Sequence, residues 1–160
     1  MDVRQLKIIW ASLLVGSLII SLVSWLVFVP RFKPVVLYFP AADSLALSSE
    51  IHYIPWAQSL PDQIRHVAQA LSTGPLSMKF RRIMPSGSAV RAVYLKGKQV
   101  WIDFDDSIQA PDLECPLTPK ARIATIVKAI EFNYPALQSI KILIEGQELG
   151  VNPLPVERTS

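Results

Sequence analysis

Val90-Arg91-Ala92-Val93-Tyr94-Leu95-Lys96-Gly97-Lys98-Gln99-Val100-Trp101-Ile102-Asp103-Phe104 decides the fold. Two runs of alternating apolar and polar residues flank Gly97, the pattern of a β-hairpin. With Gly97-Lys98 at the centre of a type II′ turn, Leu95 faces Val100, Val93 faces Ile102 and Arg91 faces Phe104. The other face pairs Tyr94 with Trp101 and Ala92 with Asp103. A turn at Lys96-Gly97 would slide the pairs without exchanging the faces, so Val93, Leu95, Val100 and Ile102 form the core side in either register.

Upstream of the hairpin, Pro85-Ser86-Gly87 is a turn, and Leu76 to Pro85 is a mixed stretch with the basic residues Lys79, Arg81 and Arg82. Ser59 caps a helix from Pro61 to about Ser72, whose apolar stripe is Ile64, Val67, Ala68 and Leu71 and which Gly74-Pro75 stops. Val35 to Phe39 is a continuous apolar run closed by Pro40, the mark of a buried strand. A polar turn at Ala41 to Ser44 leads into a second extended segment, Leu45 to Ile54.

Downstream, Asp105 to Pro116 reads as a long polar loop. Thr118 caps a second helix with Pro119 in its first turn and Ile123, Ile126, Val127 and Ile130 on its buried stripe; Asn133-Tyr134-Pro135 ends it. Ile140 to Ile144 is a strand, and Glu145-Gly146 turns it into a short return at Gln147 to Leu149. The order β-β-α-β-β-α-β predicts an α+β domain over residues 35–150, one mixed sheet with two amphipathic helices on one face. Residues 151–160, with Pro153 and Pro155, read as a loose tail.

Before this domain, after a short N-terminal tail (1–7), lies an uncharged run from Ile8 to Val29, flanked by Arg4 and Lys7 and by Arg31 and Lys33. A helix rising roughly 1.5 Å per residue crosses the roughly 30 Å hydrocarbon core of a bilayer in such a length. The expectation is a transmembrane helix over 8–29 and a short linker over 30–34. A cleaved secretory signal would have a shorter core ending in small residues, whereas this run ends Phe28-Val29-Pro30-Arg31-Phe32. Ser17, Ser21 and Ser24 share one helical face and are candidates for packing against another span. The basic flanks are balanced, so the positive-inside rule gives no orientation.

The chain has 160 residues, which after one span leaves enough for a single domain with its own core. A net charge of +3 with dispersed basic residues gives no footprint for nucleic acid. One cysteine, Cys115, excludes an internal disulfide.

Catalytic and metal chemistry find little support. His52 and His66 have no second ligand at helical or turn spacing. Cys115 has no adjacent histidine to lower its pKa. Asp103, Asp105, Asp106, Asp112 and Glu114 form an acidic concentration, but Asp105-Asp106-Ser107 lacks the glycine of a calcium loop. No cofactor, metal or enzymatic activity is expected. Tyr94 and Trp101 stand out because helices packed on the Val93/Ile102 face would leave them on the open face. Either they form an interface or a loop such as Leu76 to Met84 closes over them.

The first strand and turn Val36-Leu37-Tyr38-Phe39-Pro40-Ala41-Ala42-Asp43 resemble the GerMN domain, the spore-germination module of bacterial envelope proteins. So do Ala70-Leu71-Ser72-Thr73-Gly74-Pro75, Met84-Pro85-Ser86-Gly87-Ser88, the hairpin to Phe104, and Ile140-Lys141-Ile142-Leu143-Ile144-Glu145-Gly146. The resemblance implies an extracytoplasmic module without known catalysis, with the N-terminus in the cytoplasm and the domain outside. Its partners would be envelope proteins or copies of itself, and the bilayer. The expected contact surface comprises Tyr94, Trp101 and Asp103. The alternative is a cell-wall glycan or peptide, such as peptidoglycan, held by the same residues.

Overall fold

The computed structural model describes residues 3–28, 31–44 and 46–148. It divides into two units, residues 1–31 and 32–160. The first contains one helix, α1 (Val3–Phe28). This helix begins upstream of Ile8, so most of the expected N-terminal tail is helical. It includes a stretch, Lys7–Trp25, of mean hydropathy 2.1, long and apolar enough to cross a membrane and with no part buried. Ser17, Ser21 and Ser24 are all exposed on it.

The second unit opens with strands β1 (Phe32–Pro40) and β2 (Leu47–Pro55), paired antiparallel with Phe32 opposite Pro55 and Val36 opposite Ile51. Helix α2 (Leu60–Thr73) follows. The Ser59 hydroxyl accepts from the Asp62 amide at its start, and Ile64, Val67, Ala68 and Leu71 are buried as their spacing predicts. Strands β3 (Val90–Lys96) and β4 (Gln99–Phe104) form the hairpin that the sequence predicts. Lys96 faces Gln99 across Gly97-Lys98, and Gly97 has φ +60° while Lys98 does not enter the left-handed region, as a type II′ turn requires.

The far end of the hairpin differs from expectation. Val90, not Arg91, faces Phe104, because a β-bulge between Val90 and Ala92 inserts Arg91 as an extra residue. The loop after β4 is not wholly irregular either: a 3₁₀ turn at Asp106–Gln109 buries Ile108.

Helix α3 (Pro119–Asn133) is capped by Thr118, whose hydroxyl accepts from the Ala121 amide. Its buried side is Ile123, Ile126, Ala129 and Ile130, with Val127 only half-buried and Arg122 and Thr125 buried beside them. Strand β5 (Ser139–Ile144) then lies parallel to β4, and β6 (Gln147–Glu148) returns antiparallel. Glu145 and Gly146 both take positive φ, 51° and 77°, the geometry of a type I′ turn.

The expected single sheet is two: β1-β2, and β3-β4-β5-β6. The reason lies at Val36, whose backbone faces away from β2. The Asn133 side chain takes both groups there, accepting from the Val36 amide at 3.0 Å and donating to the Val36 carbonyl at 2.7 Å. An amide at the end of α3 thus stands where a neighbouring strand would pair. Both helices touch both sheets, α2 against β2 and β3, α3 against β1 and β5, so one continuous core joins them. Phe39, Phe104, Ile64, Ile126 and Ile130 are fully buried in it.

Strand β1 also departs from the reading as a strand buried on both sides. Val35, Leu37 and Phe39 are buried, but Val36 and Tyr38, on the opposite face, are only half-buried. The residues are apolar on both faces, and the second face is covered only in part, where Phe132 packs edge-on against the Tyr38 ring and Lys128 lies over it.

Candidate functional site

The open face of the four-stranded sheet follows from strand alternation. Val93, Val100, Ile102, Ile142 and Ile144 point into the core. Their neighbours point outward: Tyr94 sits opposite Trp101, and Trp101 lies beside Lys141 on the parallel strand β5. Tyr94 is 57% exposed and Trp101 is half-buried by its neighbours on the sheet. The Lys141 ammonium pairs with the Glu148 carboxylate at 2.8 Å, fixing a charged border next to the aromatic pair. Sequence reasoning missed Lys141, because its place beside Trp101 depends on the parallel β4-β5 pairing rather than on any local spacing.

The segment 76–84 does not cover these aromatics. It is tied to the β1-β2 sheet: Ala42 donates to the Lys79 carbonyl, Arg81 donates to the Pro40 carbonyl, and the Leu76 and Ser77 amides donate to Glu50. Within it, Arg82 turns inward and donates to the Ser72 carbonyl at the end of α2. Lys79 and Arg81 remain exposed.

Asp103 shares the sheet face but not the exposure. It is 7% exposed, and its carboxylate accepts from the Gly146 amide at 2.9 Å, with the bulged Arg91 guanidinium 3.9 Å away. Arg91 also pairs with Glu145. Asp103 therefore fastens the β5-β6 turn to β4.

Asp105 and Asp112 behave alike. Asp105 accepts from the Ala89 amide and the Ser107 hydroxyl. Asp112 accepts from the Ser86 and Glu114 amides, and these hydrogen bonds hold its carboxyl below the usual range. Of the acidic concentration read in the sequence, Asp103, Asp105 and Asp112 are separate backbone caps. Among the described residues no three His, Cys, Asp or Glu side chains gather as a metal site.

The two histidines and Glu50 are similarly engaged. His52 is buried against the Phe39 ring, and its Nε2 lies 2.6 Å from the Glu50 carboxylate. Glu50 feels burial, which raises its pKa, but the hydrogen bonds from Leu76, His52 and Ser77 outweigh that and hold it low. His66 Nδ1 lies 2.9 Å from the Pro55 carbonyl. Burial pushes the Cys115 thiol up, against the pull of the nearby Arg122, and pushes the Tyr134 phenol up to about 12. No activated nucleophile paired with a base is present among the described residues.

Two sheets joined by two helices, with an aromatic pair on an open face and several carboxylates engaged as backbone caps, define a small α+β module. Residues 36–150 match the Germane family, described as sporulation and spore germination, and the chain belongs to it. Its fold is similar to the first GerMN domain of the sporulation protein GerM from Bacillus subtilis. That likeness has a TM-score of 0.54 at 18% identity, over 76% of this chain and 90% of that one. The tandem GerMN domains of the same protein give a TM-score of 0.52 at 19% identity, with 74% of this chain covering 41% of that one. No curated protein matches the chain.

Proposed function

We propose that this chain is a membrane-anchored, extracytoplasmic and non-enzymatic assembly module of the bacterial cell envelope. The observation that carries this reading is the open sheet face: the exposed Tyr94 paired with the half-buried Trp101, beside the Lys141–Glu148 border. Exposed aromatics bordered by charge are characteristic of protein interfaces, where a rigid ring supplies apolar area at low entropic cost. Anchoring rests on α1, whose stretch Lys7–Trp25 is long and apolar enough to cross a membrane and has no part buried. The serines Ser17, Ser21 and Ser24 give that helix a face on which a second span can approach closely.

The test is capture of envelope proteins by the tagged full chain in mild detergent. Trp101→Ala with Tyr94→Ala should abolish specific recovery while circular dichroism and melting stay near those of the parent. Undiminished recovery would remove this face from the interface. For orientation, a phosphatase active only outside the cytoplasm, fused after Ser160, should be active; an inactive fusion of normal abundance would overturn the topology.

A glycan or peptide ligand on the same face is the second reading, supported by the exposed Tyr94 ring. It loses the acidic group expected to orient such a ligand, because Asp103 is engaged by Gly146. Co-sedimentation with purified peptidoglycan separates the two, since an assembly module stays in the supernatant.

A further inference from the structure

The β1-β2 sheet presents a second exposed face. Phe32, Pro34, Val36 and Tyr38 alternate along β1 on the side away from the core, and Ile51 and Tyr53 stand opposite Val36 and Pro34 on β2. Phe32 is 58%, Ile51 59% and Tyr53 69% exposed. Trp56, directly after β2, adds an indole that is 47% exposed at the end of the hairpin where β1 begins. Among the described residues no acidic side chain occupies the outward positions of β1 or β2. The cations about the face are Arg31, exposed just before β1 in the chain, and Lys128, whose Nζ lies 4.4 Å from the Tyr38 ring centroid, whereas Lys33 turns to the other side, toward Gln63 and the Tyr134 ring.

We propose that this end of the β1-β2 face rests on the bilayer that α1 crosses, with Phe32, Tyr53 and Trp56 seated at headgroup level. The proposal rests on the reading of α1 as a membrane anchor. Two further observations favour lipid over a second copy or another protein. The first is covalent: α1 ends at Phe28 and β1 begins at Phe32. Four Cα steps of at most about 3.6 Å keep Phe32 within roughly 14 Å of the end of the helix. A strand that starts so close cannot carry its first residues far from the interfacial zone.

The second is composition. Aromatic rings flanked by Lys and Arg form the belt that proteins place at the membrane surface, where the ring is partly dehydrated and the cation meets the phosphates. On the outward side of β1, α3 packs against Tyr38 through Phe132 and Lys128, while Phe32 and Pro34 at the start of the strand stay exposed and are left for a lipid interface to cover.

Tryptophan fluorescence in the reconstituted full chain tests this. The chain has four tryptophans, at positions 10, 25, 56 and 101. Single-tryptophan variants retain Trp25, Trp56 or Trp101, with the others changed to Phe. Each is placed in phosphatidylcholine/phosphatidylglycerol vesicles with and without lipids brominated near the carbonyl end of the acyl chains. Trp25 and Trp56 should both be quenched and Trp101 should not.

Adding Phe32→Asp and Tyr53→Asp to the Trp56 variant should at least halve its quenching without loss of secondary structure. Quenching of Trp25 with Trp56 no more quenched than Trp101 would overturn the docking and leave the anchor standing. Absence of quenching at Trp25 would overturn both. Trp56 quenching that survives the double aspartate change would also overturn the assignment of this face.

Discussion

Replacing Asn133 by Ala removes the group that closes the free edge of β1. In the folded protein its amide accepts from the Val36 N–H and donates to the Val36 carbonyl and to the Ala129 carbonyl. The Ala129 carbonyl also lies within the helical ladder of α3, so its loss is minor. The two Val36 groups have no strand neighbour on that side, and each lies in a partly buried setting. Leaving a backbone group of this kind unpaired costs about 1 kcal/mol at partial burial, so the change should destabilise by about 2 kcal/mol.

A domain of about 115 residues has an unfolding entropy near 0.24 kcal/mol/K at its midpoint, which converts that loss into a fall of about 8 °C in Tm. Thermal unfolding of the detergent-solubilised full chain, followed by the near-ultraviolet signal of its aromatic residues, measures it.

Asn133→Asp supplies an internal control. Near neutral pH its carboxylate still accepts from Val36 N–H but sets an oxygen without a proton against the Val36 carbonyl. Below a pH of about 4 the carboxylic acid regains a donor. The deficit of the Asp variant relative to the parent should therefore narrow on acidification, while that of the Ala variant should not. An Ala variant melting within about 2 °C of the parent, or an Asp deficit insensitive to pH, would refute the role given to this side chain.

Glu50 predicts an acid limb. Its folded pKa lies below the ordinary glutamate value of 4.5. The folded state thus binds the proton less readily than the unfolded chain, and its stabilisation is complete above that value and withdrawn as pH falls through the folded pKa. Denaturant titrations from pH 6 downward should show Glu50→Gln less stable than the parent at pH 6 and the two converging toward pH 3. Gly97→Ala should cost about 1–2 kcal/mol, since φ +60° is strained for a residue with a Cβ although no atom obstructs it; guanidinium unfolding reads it. Leu71→Ala, in a fully buried position on α2, should cost about 2–5 kcal/mol in the same assay.

The elements that the sequence made legible are those fixed by local chemistry. The Gly97 turn, the Ser59 and Thr118 caps and the Ile64/Val67/Ala68/Leu71 stripe each depend on residues within a few positions of one another. The division into two sheets was illegible because it turns on Asn133 meeting Val36, 97 positions apart in the chain. The bulge at Arg91 leaves no mark in an alternating pattern, since one extra residue reads equally well as a slightly longer strand. On α3, Val127 is more apolar than Ala129, yet Ala129 is the buried one, because the stripe rotates toward the packed sheets.

The candidate surface was half-readable. The hairpin register places Tyr94 beside Trp101 from the sequence alone, and that pairing is observed. What the sequence cannot give is which neighbouring carboxylates are free. Asp103 reads like an accessible strand residue, and only the return of β6 reveals that the Gly146 amide claims it.

Arg122 has a consequence for how the chain opens. Its guanidinium is buried and donates to three carbonyls, Leu117, Ile108 and Ala110, at 2.8–2.9 Å. Those acceptors span the 3₁₀ turn and the approach to α3, so one side chain bolts an otherwise irregular crossover to the first turn of a helix. Partial release would strand a cation among apolar neighbours, which makes piecemeal fraying of this crossover unfavourable. Residues 106–122 should consequently exchange their protected amide hydrogens as a single cooperative unit, a loop with the kinetics of a helix.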